Sequence, residues 1–261
     1  MNNIFGFKRF GKLFLKHTTE HFRSYLMSTL VLCGIITIFY AFVTMTGGTT
    51  RAGFRISALT IFYLLAGCIF TSTVFSDYGN KNKAISSLTL PVSHLEKFLV
   101  GWVYSYLIYT AIFAISFSLV DYCFVQFASQ VEDKRSLLKA MDDVPILGTL
   151  FYFYSILHSV AIFGAIYFKS MHFIKTALCF FATIILLTIF HNALLRTLVT
   201  ADEVMFSQPF LNGLGIRSET KIFYMIRLDD SMKGIYSSIM LVGITAMLWI
   251  GSFFEIKEKQ I

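Results

Sequence analysis

Polar and apolar residues fall along this chain in long separate blocks. Six stretches contain no Asp, Glu, Lys or Arg: Tyr25–Met45, Ile56–Phe75, Phe98–Val120, Leu147–Phe168, Thr176–Leu195 and Ile235–Phe254. They hold 21, 20, 23, 22, 20 and 20 residues, and all 22 basic and 15 acidic residues lie outside them. At 1.5 Å of rise per residue each block is long enough to cross a hydrocarbon core about 30 Å thick. In lipid such a segment must be helical, because its backbone N–H and C=O groups find no water partner. An amphipathic soluble helix would carry a charge every turn or two, and none of the six does. The pattern predicts an all-α, polytopic membrane helix bundle of six transmembrane spans over residues 25–261. A cytoplasmic amphipathic segment, 1–24, precedes it.

Composition agrees. The chain of 261 residues is 56% hydrophobic and only 14% charged, with a mean hydropathy of +0.68. An ordinary soluble domain is about 25% charged, so soluble and disordered classes are excluded. The net charge of +7 would suit nucleic acid, but the basic residues follow a membrane pattern and no nucleic-acid partner is expected. The first block is too long for a signal h-region and no small-x-small site follows it, so it reads as a retained span. With the N-terminus inside, segments 1–24, 76–97, 169–175 and 255–261 carry 12 basic residues. The outer segments 46–55, 121–146 and 196–234 carry 10 on more residues. Lys8, Arg9, Lys12, Lys16 and Arg23 stand directly before the first span, and Trp102 and Trp249 then lie near the inner interface. Both termini are therefore expected in the cytoplasm. Cys33, Cys68, Cys123 and Cys179 show no disulfide or zinc spacing and read as small apolar residues.

The connections add detail. Ile4, Phe7, Phe10 and Phe14 recur at helical spacing, with Lys8, Arg9, Lys12 and Lys16 on the other face. This reads as an interfacial helix in the headgroup layer, or else as a solvated positive-inside tail. Segment 76–97 contains Ser93 and Glu96, a capping box that starts the third helix at about His94, and Pro91 ends whatever precedes it. Lys83–Leu90 reads as a short helix offering a docking surface, or as a plain loop. The 39-residue outer segment 196–234 is too long for a simple loop. Thr200 with Glu203, and later Ser218, suggest two short helices over about 200–227, lying at or dipping into the outer interface. Segment 121–146 looks solvated.

Candidate chemistry is sparse. Gly6–Lys12 fits GxxxxGK, but Leu13 replaces the magnesium-binding Ser or Thr and no strand precedes it. An ATPase, if one takes part, must sit on another chain. His17-Thr18-Thr19-Glu20-His21 fits HxxEH but lacks a third ligand in a basic tail. Within the spans, His158 lies near mid-depth of the fourth, and His191 and Asn192 near the outer end of the fifth. They are candidates for a translocation path or for ordinary interhelical hydrogen bonds. No span holds the acidic or basic residue that ion-coupled transporters use, so energy is expected to enter from outside the bundle.

This layout resembles the membrane subunit of an ABC-2 type exporter. The stretch Leu88-Thr89-Leu90-Pro91-Val92-Ser93-His94-Leu95-Glu96-Lys97-Phe98 is similar to one that ABC-2 permeases of Bacteroidota-like bacteria carry after their second span. The resemblance implies a coupling segment at 76–97, with Ala84, Ile85, Leu88 and Leu90 contacting an ABC ATPase subunit and Glu96 and Lys97 beside them. It further implies a second permease subunit, identical or not, and re-entrant helices at 200–227. No cofactor is expected on this chain; ATP and Mg²⁺ would be held by the ATPase. The function implied is ATP-driven export of a hydrophobic or amphipathic substrate across a bacterial inner membrane. A non-transporting scaffold is the alternative, and an intramembrane enzyme a more distant one.

Overall fold

The structure is a computed structural model, and it describes residues 5–46, 51–79, 92–127, 146–198, 203–206, 213–217, 223–227 and 230–258. Among the described residues seven α-helices carry the bundle: α1 Phe7–Met45, α2 Ala52–Gly79, α3 His94–Trp102, α4 Tyr109–Phe127, α5 Ile146–Tyr167, α6 His172–Leu198 and α7 Asp230–Glu258. Among the described residues six helical stretches are long and apolar enough to cross a membrane, because α3 and α4 form one span joined by π-helical residues Val103–Ile108. Every charge-free block of the sequence lies within one of these helical stretches, give or take a terminal residue.

The helices run up and down. Phe75 near the end of α2 meets Phe98 at the start of α3 (ring centroids 5.9 Å apart), and Phe98 meets Phe253 near the end of α7 (6.1 Å). The start of α1, the end of α2 and the end of α7 therefore share one face, here the N-terminal face. The opposite face holds the start of α2 and the end of α4.

Two apolar clusters stack along the bundle. Toward the far face, Ile36, Tyr40, Ala58, Tyr63, Phe113, Phe117, Leu150 and Tyr154 are buried together. Toward the N-terminal face, Val74, Phe75, Ile162, Ala165, Ile166 and Ile256 form the second. Lipid supplies little hydrophobic drive between helices, so close backbone approach and interhelical hydrogen bonds must hold them. Gly67 lets α2 press onto the Tyr154 ring of α5, and Gly164 lets α5 press onto Thr176 of α6; a Cβ at either would overlap its neighbour. Helix α6 packs along one edge only, and Leu178, Phe181, Ile185, Leu186, Ile189 and Phe190 on it are exposed. In water this would be a liability; in a bilayer it is the lipid-facing surface.

Two expectations change. The amphipathic residues of segment 1–24 do not form a separate helix. From Phe7 onward they are the first half of α1, which runs unbroken for 39 residues, about 58 Å. No Gly or Pro lies between Gly11 and Gly34 to break it. Phe14 of this stretch stacks on Tyr104 (4.9 Å), while Phe7 stays exposed.

The bundle is all-helical as expected, but the external helices at 200–227 are corrected. The segment carries a three-stranded antiparallel sheet of order β1-β2-β3: β1 Glu203–Phe206, β2 Gly213–Arg217 and β3 Phe223–Arg227. β2 and β3 pair regularly from Gly213 opposite Arg227 to Arg217 opposite Phe223. β1 slips register between Val204 and Phe206. The runs EVMF, GLGIR and FYMIR are short and rich in β-branched and aromatic residues. Gly213 and Gly215 weaken any helix there, and a capping pattern over so few residues does not outweigh strand pairing.

Candidate functional site: polar clasps at both ends and a hydrogen-bond chain between

At the N-terminal face the capping box forms as the spacing predicts. The Glu96 backbone N–H donates to Ser93 Oγ (3.2 Å), and the Ser93 N–H donates to Glu96 Oε2 (2.9 Å). The other carboxylate oxygen reaches α1. It accepts the Gly6 N–H at 2.7 Å and lies 3.3 Å from the Arg9 guanidinium. Glu96 is wholly buried and Lys97 nearly so. Both lie in the capping turn, ahead of the charge-free span. Burial alone would raise the Glu96 pKa, but the Gly6 and Ser93 N–H donors and Arg9 outweigh it and hold the carboxyl below its usual range. Of the six residues expected to form the coupling region, the four expected to contact an ATPase, Ala84, Ile85, Leu88 and Leu90, lie outside the described residues. Glu96 and Lys97 are packed inside and display no surface; Glu96 fastens α1 to α3.

Above this clasp, α1 lies along the π segment. Thr18 Oγ1 and the Tyr104 hydroxyl are hydrogen-bonded. The His17 ring packs 4.6 Å from both His21 and Tyr104, and its Nε2 pairs with the Tyr25 hydroxyl at 2.7 Å. The two histidines of HxxEH thus face aromatic partners. Among the described residues no group of three or more His, Cys, Asp or Glu side chains is placed to hold a metal.

In the middle of the bundle, His158 on α5 is wholly buried among Trp102, Tyr106, Tyr154 and Trp249. Its bonds fix its protons. Trp249 Nε1 can only donate, and it reaches His158 Nδ1 at 3.3 Å. Nδ1 is therefore the acceptor, and Nε2 carries the hydrogen toward Ser105 Oγ (2.8 Å). Ser105 in turn donates to the Gly101 carbonyl (2.8 Å). Every donor and acceptor in this chain is used, which fits a structural tie between α3, α5 and α7. A second proton on His158 would set two N–H groups against each other at Nδ1.

His191 and Asn192 are not brought to this centre. Gly164 lies against Thr176 in the antiparallel α5–α6 pair, so His158 sits level with about residue 182, some 13 Å along the axis from His191. Both residues are half-buried near the far end of α6.

The far face holds a group that the sequence reading did not select. Arg55 Nε donates to Asp121 Oδ1 (2.8 Å), and Arg55 Nη2 pairs with Oδ2. The Tyr40 hydroxyl donates to Oδ1 at 3.1 Å. All three side chains are buried, and they lock α1, α2 and α4 together. Arg55 lies one residue before the second charge-free block and Asp121 one residue after the third. Neither lies within a charge-free block, so the blocks leave both out; their signal is their matched position at the same ends of consecutive spans. Beside this clasp Thr37, Leu119, Val120, Cys123 and Phe124 line a shallow, mostly apolar groove between α1 and α4.

Compared with known proteins, the chain matches no family model, no curated protein and no solved structure.

Proposed function

We propose that this chain is the permease subunit of an ABC-2 type exporter in a bacterial inner membrane, with both termini in the cytoplasm. It works with a separate ABC ATPase subunit and a second permease subunit, and it moves a hydrophobic or amphipathic substrate. The observation that supports this best is the clasp at the N-terminal face. The stretch LTLPVSHLEKFL contains the Ser93 cap, and Glu96 in that cap is tied to Gly6 and Arg9 at the start of α1. A push on segment 76–92 would therefore move α3 and the basic half of α1 as one body. The buried groups Arg55, Asp121 and His158 are engaged with partners inside the bundle, in keeping with energy entering at this face rather than through an ion site. Binding and hydrolysis of ATP with Mg²⁺ belong to the partner.

The test is ATP hydrolysis by the complex purified through a tag on this chain and reconstituted in liposomes. Hydrolysis stimulated by lipid-like or amphipathic cargo supports the permease reading. Hydrolysis with no dependence on any cargo points to a scaffold instead.

A further inference from the structure

The π segment Val103–Ile108 joins two otherwise regular α-helices in the middle of a span. A π turn holds one residue more than an α turn and has poorer hydrogen-bond geometry, so it persists only where its surroundings hold it. Here adjacent residues of the turn are held by different neighbours. Tyr104 is bonded to Thr18 and stacked on Phe14, both of α1. Ser105 is bonded through its hydroxyl to His158, and its carbonyl accepts the Tyr154 hydroxyl at 2.6 Å, both on α5. Below the turn, α3 is tied to α1 again through Glu96. Above it, α4 is fixed to α2 by the Arg55–Asp121 pair. The span is thus anchored separately at both ends, with its one irregular turn between the anchors.

We infer that this π segment is a register switch, which converts movement of α1 and α3 at the N-terminal face into breaking or re-forming of the Ser105–His158–Trp249 chain. Passing from π to α register removes one residue from the turn. The helix below then rotates by about 100° and shifts by about 1.5 Å against the helix above. Tyr104 and Ser105 cannot both keep their partners through that change. The switch stands whether or not an ATPase supplies the load, so its test needs neither ATPase nor cargo.

The protein carries its own reporter. Its two tryptophans, Trp102 and Trp249, both lie at this centre, 5.5 Å apart. With Trp102→Phe, all tryptophan emission comes from Trp249, beyond the π segment on α7. The experiment compares the emission of this parent, in nanodiscs, with and without Arg9→Gln, which weakens the clasp at the other end of the path. The same comparison is made after deletion of Leu107, an exposed residue of the π segment whose loss restores an α register. It is repeated with Ser105→Ala, a milder variant that cuts the chain while sparing the backbone. The expected result is a shift of the Trp249 emission maximum on Arg9→Gln in the parent and none in either variant. No shift in the parent, or an equal shift in the parent and both variants, overturns the switch.

Discussion

Charged residues in this chain act where they are buried. The Arg55–Asp121 pair is a two-pronged bond with Tyr40 on one oxygen, sealed from solvent. Removing one partner of such a pair leaves an uncompensated buried charge at a cost of about 3–5 kcal/mol. Asp121→Asn should therefore lower the melting temperature sharply in detergent, and Arg55→Met with Asp121→Leu together should lower it much less. Equal losses in the single and double variants would show that the pair is not coupled. Glu96 gives a pH prediction. Its folded pKa lies below its unfolded value, so its contribution is complete above the unfolded pKa of about 4.3 and is lost as pH falls through the folded value. Acidification below that range should loosen the α1–α3 clasp, and Glu96→Gln should remove that part of the acid sensitivity in a melting series. Residue chemistry was only partly legible. The Ser93–Glu96 box was read correctly because both halves are local, three residues apart. The Gly6–Glu96 and Arg55–Asp121 contacts span 90 and 66 residues and leave no local pattern.

At the scale of elements, the six spans could be read because lipid imposes one solution on a long charge-free block. The π segment could not, since VYSYLI carries no breaker and its geometry depends on partners in α1 and α5. The sheet at 203–227 was misread as helices because its strands are only four or five residues long, too short for period to decide. The amphipathic stretch was read with the right period but the wrong boundary: nothing stops α1 from continuing into the span. Helix packing gives a further prediction. Gly164 faces Thr176 with no room for a Cβ, and α6 is otherwise largely lipid-exposed. Gly164→Leu should separate α6 from α5 and destabilise the protein by about 1–3 kcal/mol or more. The same change at Gly148, where a Cβ meets open space, should be nearly silent. Thermal aggregation of the two variants side by side checks this.

The whole molecule is a lipid-facing bundle with a polar clasp at each end and one hydrogen-bond chain between them. Span three and α1 run parallel from the same face, meeting at Glu96 and Gly6, at Tyr104 and Thr18, and at Asp121 and Tyr40. These contacts tie span three to α1 on both sides of the π segment, so a force at the N-terminal face is carried along the pair to that turn. We propose that this force comes from an ATPase seated on segment 76–97. It is tested most directly by co-purification from gently solubilised membranes, comparing wild type with Leu88→Asp plus Leu90→Asp. An ATPase subunit is expected to accompany the wild-type chain and to be lost from the double variant, while the variant still elutes as a folded species. A wild-type chain that stays folded and brings no ATPase with it would contradict the claim.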